Sequence, residues 1–241
     1  MSTIPLVGRL AAFVLLLASA AAHAQTPVDS AATSPTVAAA LGSAVVEIPA
    51  PASRSLDARL ERAVYHIEAR PFAAVMRGVN RAAYPAFAAA APATAAVALA
   101  RGSSLRPALH MAAAEAGTVA VVFALKRTIR RPRPYRTMPG ITDRRGPNES
   151  EDPFSFPSGH AAVAFSVATS VALSDRRLAV PALAWATAVG VSRMWHGVHY
   201  ASDVLVGAAV GAGIATAAHA LLPGGAEAHG AAVPFRIVVP L

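Results

Sequence analysis

Phe154-Ser155-Phe156-Pro157-Ser158-Gly159-His160 is followed without a break by the apolar run Ala161 to Leu173. This junction decides the fold class, because a polar start feeding an uninterrupted apolar stretch is the pattern of a capped, buried helix. Proline, serine and glycine at such a start leave backbone N–H groups exposed. With the Ser158 hydroxyl they form a ready site for an anion. His160, in the first turn, can give or take a proton beside it. An ordinary N-cap with an incidental histidine fits these residues equally well.

Working outward, four further apolar stretches run from Tyr84 to Ala100, Pro107 to Leu125, Leu178 to Val191 and Val204 to Leu222. The pattern predicts an all-α fold, a bundle of five to six core helices that spans a membrane. Only the second and last of the five stretches approach the roughly 20 residues that cross a bilayer, so a soluble bundle of alanine-rich helices stands as the alternative. Leu56 to Ala69 sets Leu56, Leu60, Val64 and Ile67 at helical spacing among charges, predicting an amphipathic helix that packs on a core or lies at a membrane surface.

The ends of the sequence read differently. Arg9 precedes an apolar run from Leu10 to about Ala22 that closes on Ala22-His23-Ala24, the plan of a secretory signal peptide or, failing cleavage, of an anchor. The expected organisation is therefore a signal peptide or anchor over 1–24, a flexible linker rich in Thr, Pro, Ser and Ala over 25–55, a helical catalytic domain over 56–222, and a C-terminal tail over 223–241.

Charge is concentrated in arginine. The chain holds 21 basic and 13 acidic residues, and its single lysine is Lys126. Arginine's planar fork suits phosphate, although a basic chain also suits nucleic acid or anionic lipid. With no cysteine, disulfides and thiolate metal sites are excluded. If the segment after Ala24 is outside, Arg101, Arg106 and Asp175 to Arg177 fall inside. The segments 126–157 and 195–203 then fall outside. Short inside turns carrying arginine follow the positive-inside rule, but the basic outer loop breaks it unless its cations have another task.

Two further stretches offer that task. Lys126-Arg127-Thr128-Ile129-Arg130-Arg131-Pro132-Arg133-Pro134 is a helix end followed by a stiff basic turn, which could equally be a juxtamembrane patch for anionic lipid. Ser192-Arg193-Met194-Trp195-His196-Gly197-Val198-His199-Tyr200-Ala201-Ser202-Asp203 leads into the last apolar stretch. If helical, it sets His199 and Asp203 on one face, so that the carboxylate holds one imidazole nitrogen and leaves the other free to attack. Metal binding by His196, His199 and Asp203 competes with this, but no second cluster completes a ligand shell.

Taken in order, Lys-x6-Arg-Pro, Pro-Ser-Gly-His and Ser-Arg-x5-His-x3-Asp resemble the three-part signature of the type 2 phosphatidic acid phosphatase superfamily, and all eleven specified positions match. That superfamily includes membrane lipid phosphatases, bacterial acid phosphatases and vanadium haloperoxidases. The resemblance implies a phosphatase acting on phosphomonoesters or diphosphates through a phosphohistidine. His199 would be the nucleophile, Asp203 its orienter and His160 the general acid. Lys126, Arg133 and Arg193 would clamp the phosphoryl oxygens, with Ser158 and Gly159 adding hydrogen bonds. It implies no metal and no cofactor, and gives His196, Arg130 and Arg131 no role. The implied partner is a phosphorylated lipid or small phosphate ester, not nucleic acid. The signal segment and the loop charges point to a bacterial inner membrane with the site facing the periplasm. A soluble periplasmic acid phosphatase and, less favoured by the short apolar chain, a vanadium haloperoxidase are the alternatives. The sequence sets neither the substrate nor the oligomeric state.

Overall fold

The structure is a computed structural model describing residues 46, 49–145 and 152–222. The expected signal segment over 1–24 and the tail over 223–241 lie outside the described residues, as does most of the linker over 25–55. Among the described residues seven α-helices follow one another, and no strand forms. They are α1 (Leu56–Tyr65), α2 (Arg70–Ala100), α3 (Arg106–Thr128), α4 (Pro134–Thr137), α5 (Gly159–Ser174), α6 (Ala179–Trp195) and α7 (Ala201–Leu221). This is the all-α bundle the apolar pattern predicts, with five long helices and two short ones gathered at one end.

Helix α5 is the centre, packing against α7, α6, α3 and α2. Its closest neighbour is α7, and glycine sets that distance. A Cβ on Gly207 would stand 2.5 Å from the Ser158 carbonyl oxygen, and one on Gly211 only 1.9 Å from that of Ala162. Small residues four apart let two backbones approach in this way, a packing device common between helices in lipid.

Helices α2, α3 and α7 are long and apolar enough to cross a membrane, while α5 is apolar but shorter. Leu99, Leu109, Phe123, Val180 and Leu205 are each more than half exposed around the bundle. Water would penalise such a belt, whereas hydrocarbon does not. The chain is a membrane protein.

Two elements depart from the sequence pattern. The first apolar stretch belongs to a 31-residue helix that begins at Arg70 and carries Pro85 and Pro92 inside it. In α1 the polarity is reversed. Leu56 is 60% and Leu60 41% exposed, while Asp57 and Glu61 are buried. The reason is Arg131, fully buried beneath α1, whose guanidinium binds Asp57 at 2.6 Å and draws the acidic face inward. Ser55 caps the helix, accepting from Ala58 N–H at 3.2 Å. Within the segment read as linker, Val46 pairs with 128–130, its N–H donating to the Thr128 carbonyl at 2.9 Å.

Candidate active site

Backbone hydrogen bonds stitch the three motif segments together at the end of the bundle where α3 finishes and α7 starts. After Thr128 the chain is extended through Arg133, and Ser155 N–H donates to the Arg131 carbonyl at 2.8 Å. Ser158 N–H donates to the Asp203 carbonyl at 3.0 Å, and Tyr135 N–H to that of Gly197 at 3.1 Å. Gly197 has φ +74°, and a Cβ there would lie 2.6 Å from the Thr142 carbonyl oxygen. Only glycine fits both the left-handed turn and the close loop.

The side chains carried by these segments converge on one cavity of about 520 Å³, lined by Lys126, Arg133, Gly159, His160, Arg193 and His199. Asp152 and Arg145 also line it, as do the apolar side chains of Tyr84, Phe87, Val119 and Phe123. Lys126 Nζ donates to the Phe154 carbonyl at 2.6 Å and sits 3.2 Å from Asp152 Oδ2. Arg133 Nε donates to the Asp152 carbonyl at 2.8 Å. Arg193 Nη1 donates to Asn80 Oδ1, linking the α6 end to α2. These three cations are almost entirely buried. Each is fixed by protein groups while facing the cavity, the arrangement that meets an anion without reorganising.

His160 presents its ring to Tyr84 at 4.6 Å and to Phe87 at 6.1 Å between centroids. His199 is buried, with Nδ1 3.7 Å from Asp203 Oδ2. That contact is longer than a hydrogen bond, and it is not made on a helix face. His199 precedes α7, whose N-cap is Tyr200, while Asp203 is the third helical residue and accepts from Tyr200 N–H at 2.9 Å. The turn, rather than the i, i+4 spacing, brings imidazole and carboxylate together. Burial first, then the positive charges of Arg133, Lys126 and Arg193, hold the His199 imidazole well below its ordinary range and therefore neutral.

Not every candidate from the sequence faces the cavity. Ser158 is buried as the N-cap of α5, its hydroxyl accepting from Ala161 N–H at 3.5 Å, and it does not line the space. His196 turns away, its Nδ1 2.6 Å from the Ser192 carbonyl at the end of α6. Arg130 is exposed. Among the described residues no group of three or more His, Asp or Glu is set to hold a metal ion. Arg131, to which the motif assigns nothing, is the residue that sequence reasoning missed. It donates to Asp203 Oδ1 at 2.5 Å from a site with no solvent access. A fifth cation in a short basic turn resembles surface charge until its burial is seen.

Fold and site together define a class, that of helical membrane proteins with two histidines and fixed cations lining one cavity at the end of the bundle. Residues 107–224 match the family model of the PAP2 superfamily. It is 38% identical over 78 residues to the bacitracin transport permease protein BcrC of Bacillus licheniformis, a match covering 32% of this chain and 37% of that protein's length. Among solved structures the fold is similar to Aquifex aeolicus LpxE, with TM-score 0.56 and 22% identity, covering 68% of this chain and 94% of that one. It is equally similar to the transmembrane PAP2-type phosphatidylglycerolphosphate phosphatase of Bacillus subtilis, with TM-score 0.56 and 23% identity, covering 88% of this chain and 93% of that one.

Proposed function

We propose that this protein is a phosphatase that removes phosphate from phosphorylated lipids, monoesters or diphosphates, at the periplasmic face of a bacterial inner membrane. The observation that carries the reading is the composition of one cavity. Lys126, Arg133, Arg193 and both histidines line it together with aromatic and aliphatic side chains of α2 and α3. A phosphate with an apolar tail matches both kinds of lining, whereas a soluble ester matches one.

In this reading the phosphoryl oxygens bind Lys126, Arg133 and Arg193, which stabilise the charge that spreads over them in the transition state. His199 Nε2 attacks phosphorus with Nδ1–H turned to Asp203, giving a phosphohistidine, and the P–O bond to the leaving group breaks. His160 delivers the proton to that oxygen. It then takes one from the water that cleaves the P–N bond, releasing inorganic phosphate and restoring His199. Gly159, at the start of α5, lets its backbone approach the anion.

Phosphate release from a panel of phosphatidate, phosphatidylglycerophosphate, isoprenoid diphosphate and soluble esters tests this, comparing the intact protein with His199→Ala. Lipid phosphates are expected to be preferred and the variant inactive. Full activity in His199→Ala, or equal turnover of soluble esters, sinks respectively the mechanism or the lipid assignment.

A further inference from the structure

The two oxygens of Asp203 have different neighbours. Oδ2 accepts from Tyr200 N–H and looks towards His199. Oδ1 accepts from Arg131 Nη1 at 2.5 Å, and the same nitrogen donates to Ser202 Oγ at 2.8 Å. Arg131 Nη2 donates to Asp57 Oδ2 at 2.6 Å. Asp57 in turn accepts from Ser202 N–H at 2.9 Å and from Ser202 Oγ at 2.6 Å. The guanidinium also lies over the Tyr200 ring, 4.0 Å from its centroid. Asp57, Arg131 and Asp203 are all buried. Asp57 stands on α1, outside the 107–224 segment that the superfamily model matches.

We propose that α1 is part of the catalytic apparatus, with Arg131 and Asp57 as positioning residues that fix Asp203 and balance each other's charge. The inference rests on His199 being the nucleophile. A carboxylate can steady an imidazole only if it does not rotate, and the arginine fork fixes one of its oxygens. Arginine alone would also offset the carboxylate's charge and weaken its pull on His199. Asp57 supplies the compensating negative charge. The formal charges of Asp57, Arg131 and Asp203 then total minus one, the value Asp203 would carry alone.

The surroundings keep that total. Glu61, one turn beyond Asp57 on α1, has no hydrogen-bond partner among the described residues. Burial, then Asp203 and Asp57, push its carboxyl up to about 10, so it is neutral. Tyr200 faces the cluster from the turn. Across His199 stand Lys126 from α3, Arg133 from the basic turn, His160 from α5 and Arg193 from α6. Arg145 and Asp152 also line the cavity there, Asp152 paired with Lys126, while the acidic cluster meets His199 through Asp203.

The test uses the full chain in detergent and the substrate it turns over best. Asp57→Asn keeps shape and removes one charge. It is expected to lower kcat by about tenfold or more with KM nearly unchanged. The acid limb of kcat/KM should move to lower pH by on the order of 1 unit, because an unbalanced Arg131 favours neutral His199. Arg131→Met leaves two buried carboxylates together and is expected to lower kcat further. The double variant Asp57→Asn/Arg131→Met restores the net charge and should recover part of that loss. Asp57→Asn with normal kcat per folded molecule and an unmoved acid limb, even if less stable, overturns the proposal. So does a double variant no better than Arg131→Met, a comparison that decides the matter if Asp57→Asn alone fails to fold. Full activity in His199→Ala would instead bring down the nucleophile assignment on which all of this rests.

Discussion

Glu61→Gln should stabilise the protein, and by an amount that grows with pH. The carboxyl is fully buried in α1, its two oxygens have no hydrogen-bond partner among the described residues, and Asp57 and Asp203 lie near it. Burial first, then those two negative charges, raise its pKa from 4.5 to about 10. Because the folded-state value exceeds the unfolded one, the native state is favoured fully below 4.5, and that advantage is lost as pH rises towards 10. At pH 7 the native group is still neutral while the unfolded group is ionised. The cost is then set by the distance from 4.5 to 7, and at about 1.4 kcal/mol per pH unit it comes to about 3 to 4 kcal/mol. Glutamine keeps the shape and removes the titration. Reversible unfolding in mixed micelles, run for both proteins from pH 4.5 to 9, reads the difference. The two curves should nearly coincide at the acid end and separate as pH rises, with Glu61→Gln the more stable. A gap independent of pH, or a less stable variant at pH 8, would refute the reasoning.

Other expectations follow from the same geometry. Arg193→Ala removes a buried cation facing the cavity and should lower kcat by about 10²- to 10³-fold, read as initial rates of phosphate release at saturating lipid. Since His199 is neutral well below its ordinary range, its folded pKa lies under the unfolded one. The stability tied to it is present above about 6.5 and lost as pH falls; His199→Gln should therefore lose less stability than the parent between pH 7 and 5, measured by thermal unfolding in detergent. Gly211→Val pushes a side chain into the α5 backbone and should cost at least about 2 kcal/mol, lowering the melting temperature, whereas Gly78→Ala, with nothing within 4 Å, should not. Gly197→Ala combines a left-handed φ with a 2.6 Å approach to Thr142; loss of activity out of proportion to its loss of stability would show that the turn before His199 has moved.

The legible parts of the fold were those in which a local signal and the burial agree. Ser158 reads as a cap and is one, and the apolar run after it becomes the central helix. The start of α2 was hidden because arginines at 70, 77 and 81 and Pro85 resemble a boundary. Those arginines are exposed and the helix continues through the proline. The orientation of α1 was not legible, because leucines at helical spacing suit a core or a membrane surface alike. A buried arginine elsewhere in the chain sets that orientation, and no periodicity within α1 records it. Gly207 and Gly211 stand four apart in plain view, yet their meaning depends on which helix lies opposite. At the site, spacing grouped the charged residues but did not say which cation faces the cavity and which supports Asp203. Arg131 and Arg133, two apart, would share one face of a regular extended segment, yet Arg131 binds Asp203 and Arg133 lines the cavity, a difference set by tertiary packing.

The stitching of the motif segments has a consequence for how such a protein can change. Backbone bonds tie the segments around Arg131, Ser155, Ser158 and Asp203 to one another, so their spacing survives replacement of most neighbouring side chains. Helix α2 shares no backbone hydrogen bond with them among the described residues and meets the site through Asn80 and the rings of Tyr84 and Phe87. The part of the cavity lining that α2 supplies, Tyr84 and Phe87, can therefore be exchanged while the stitched segments stay as they are.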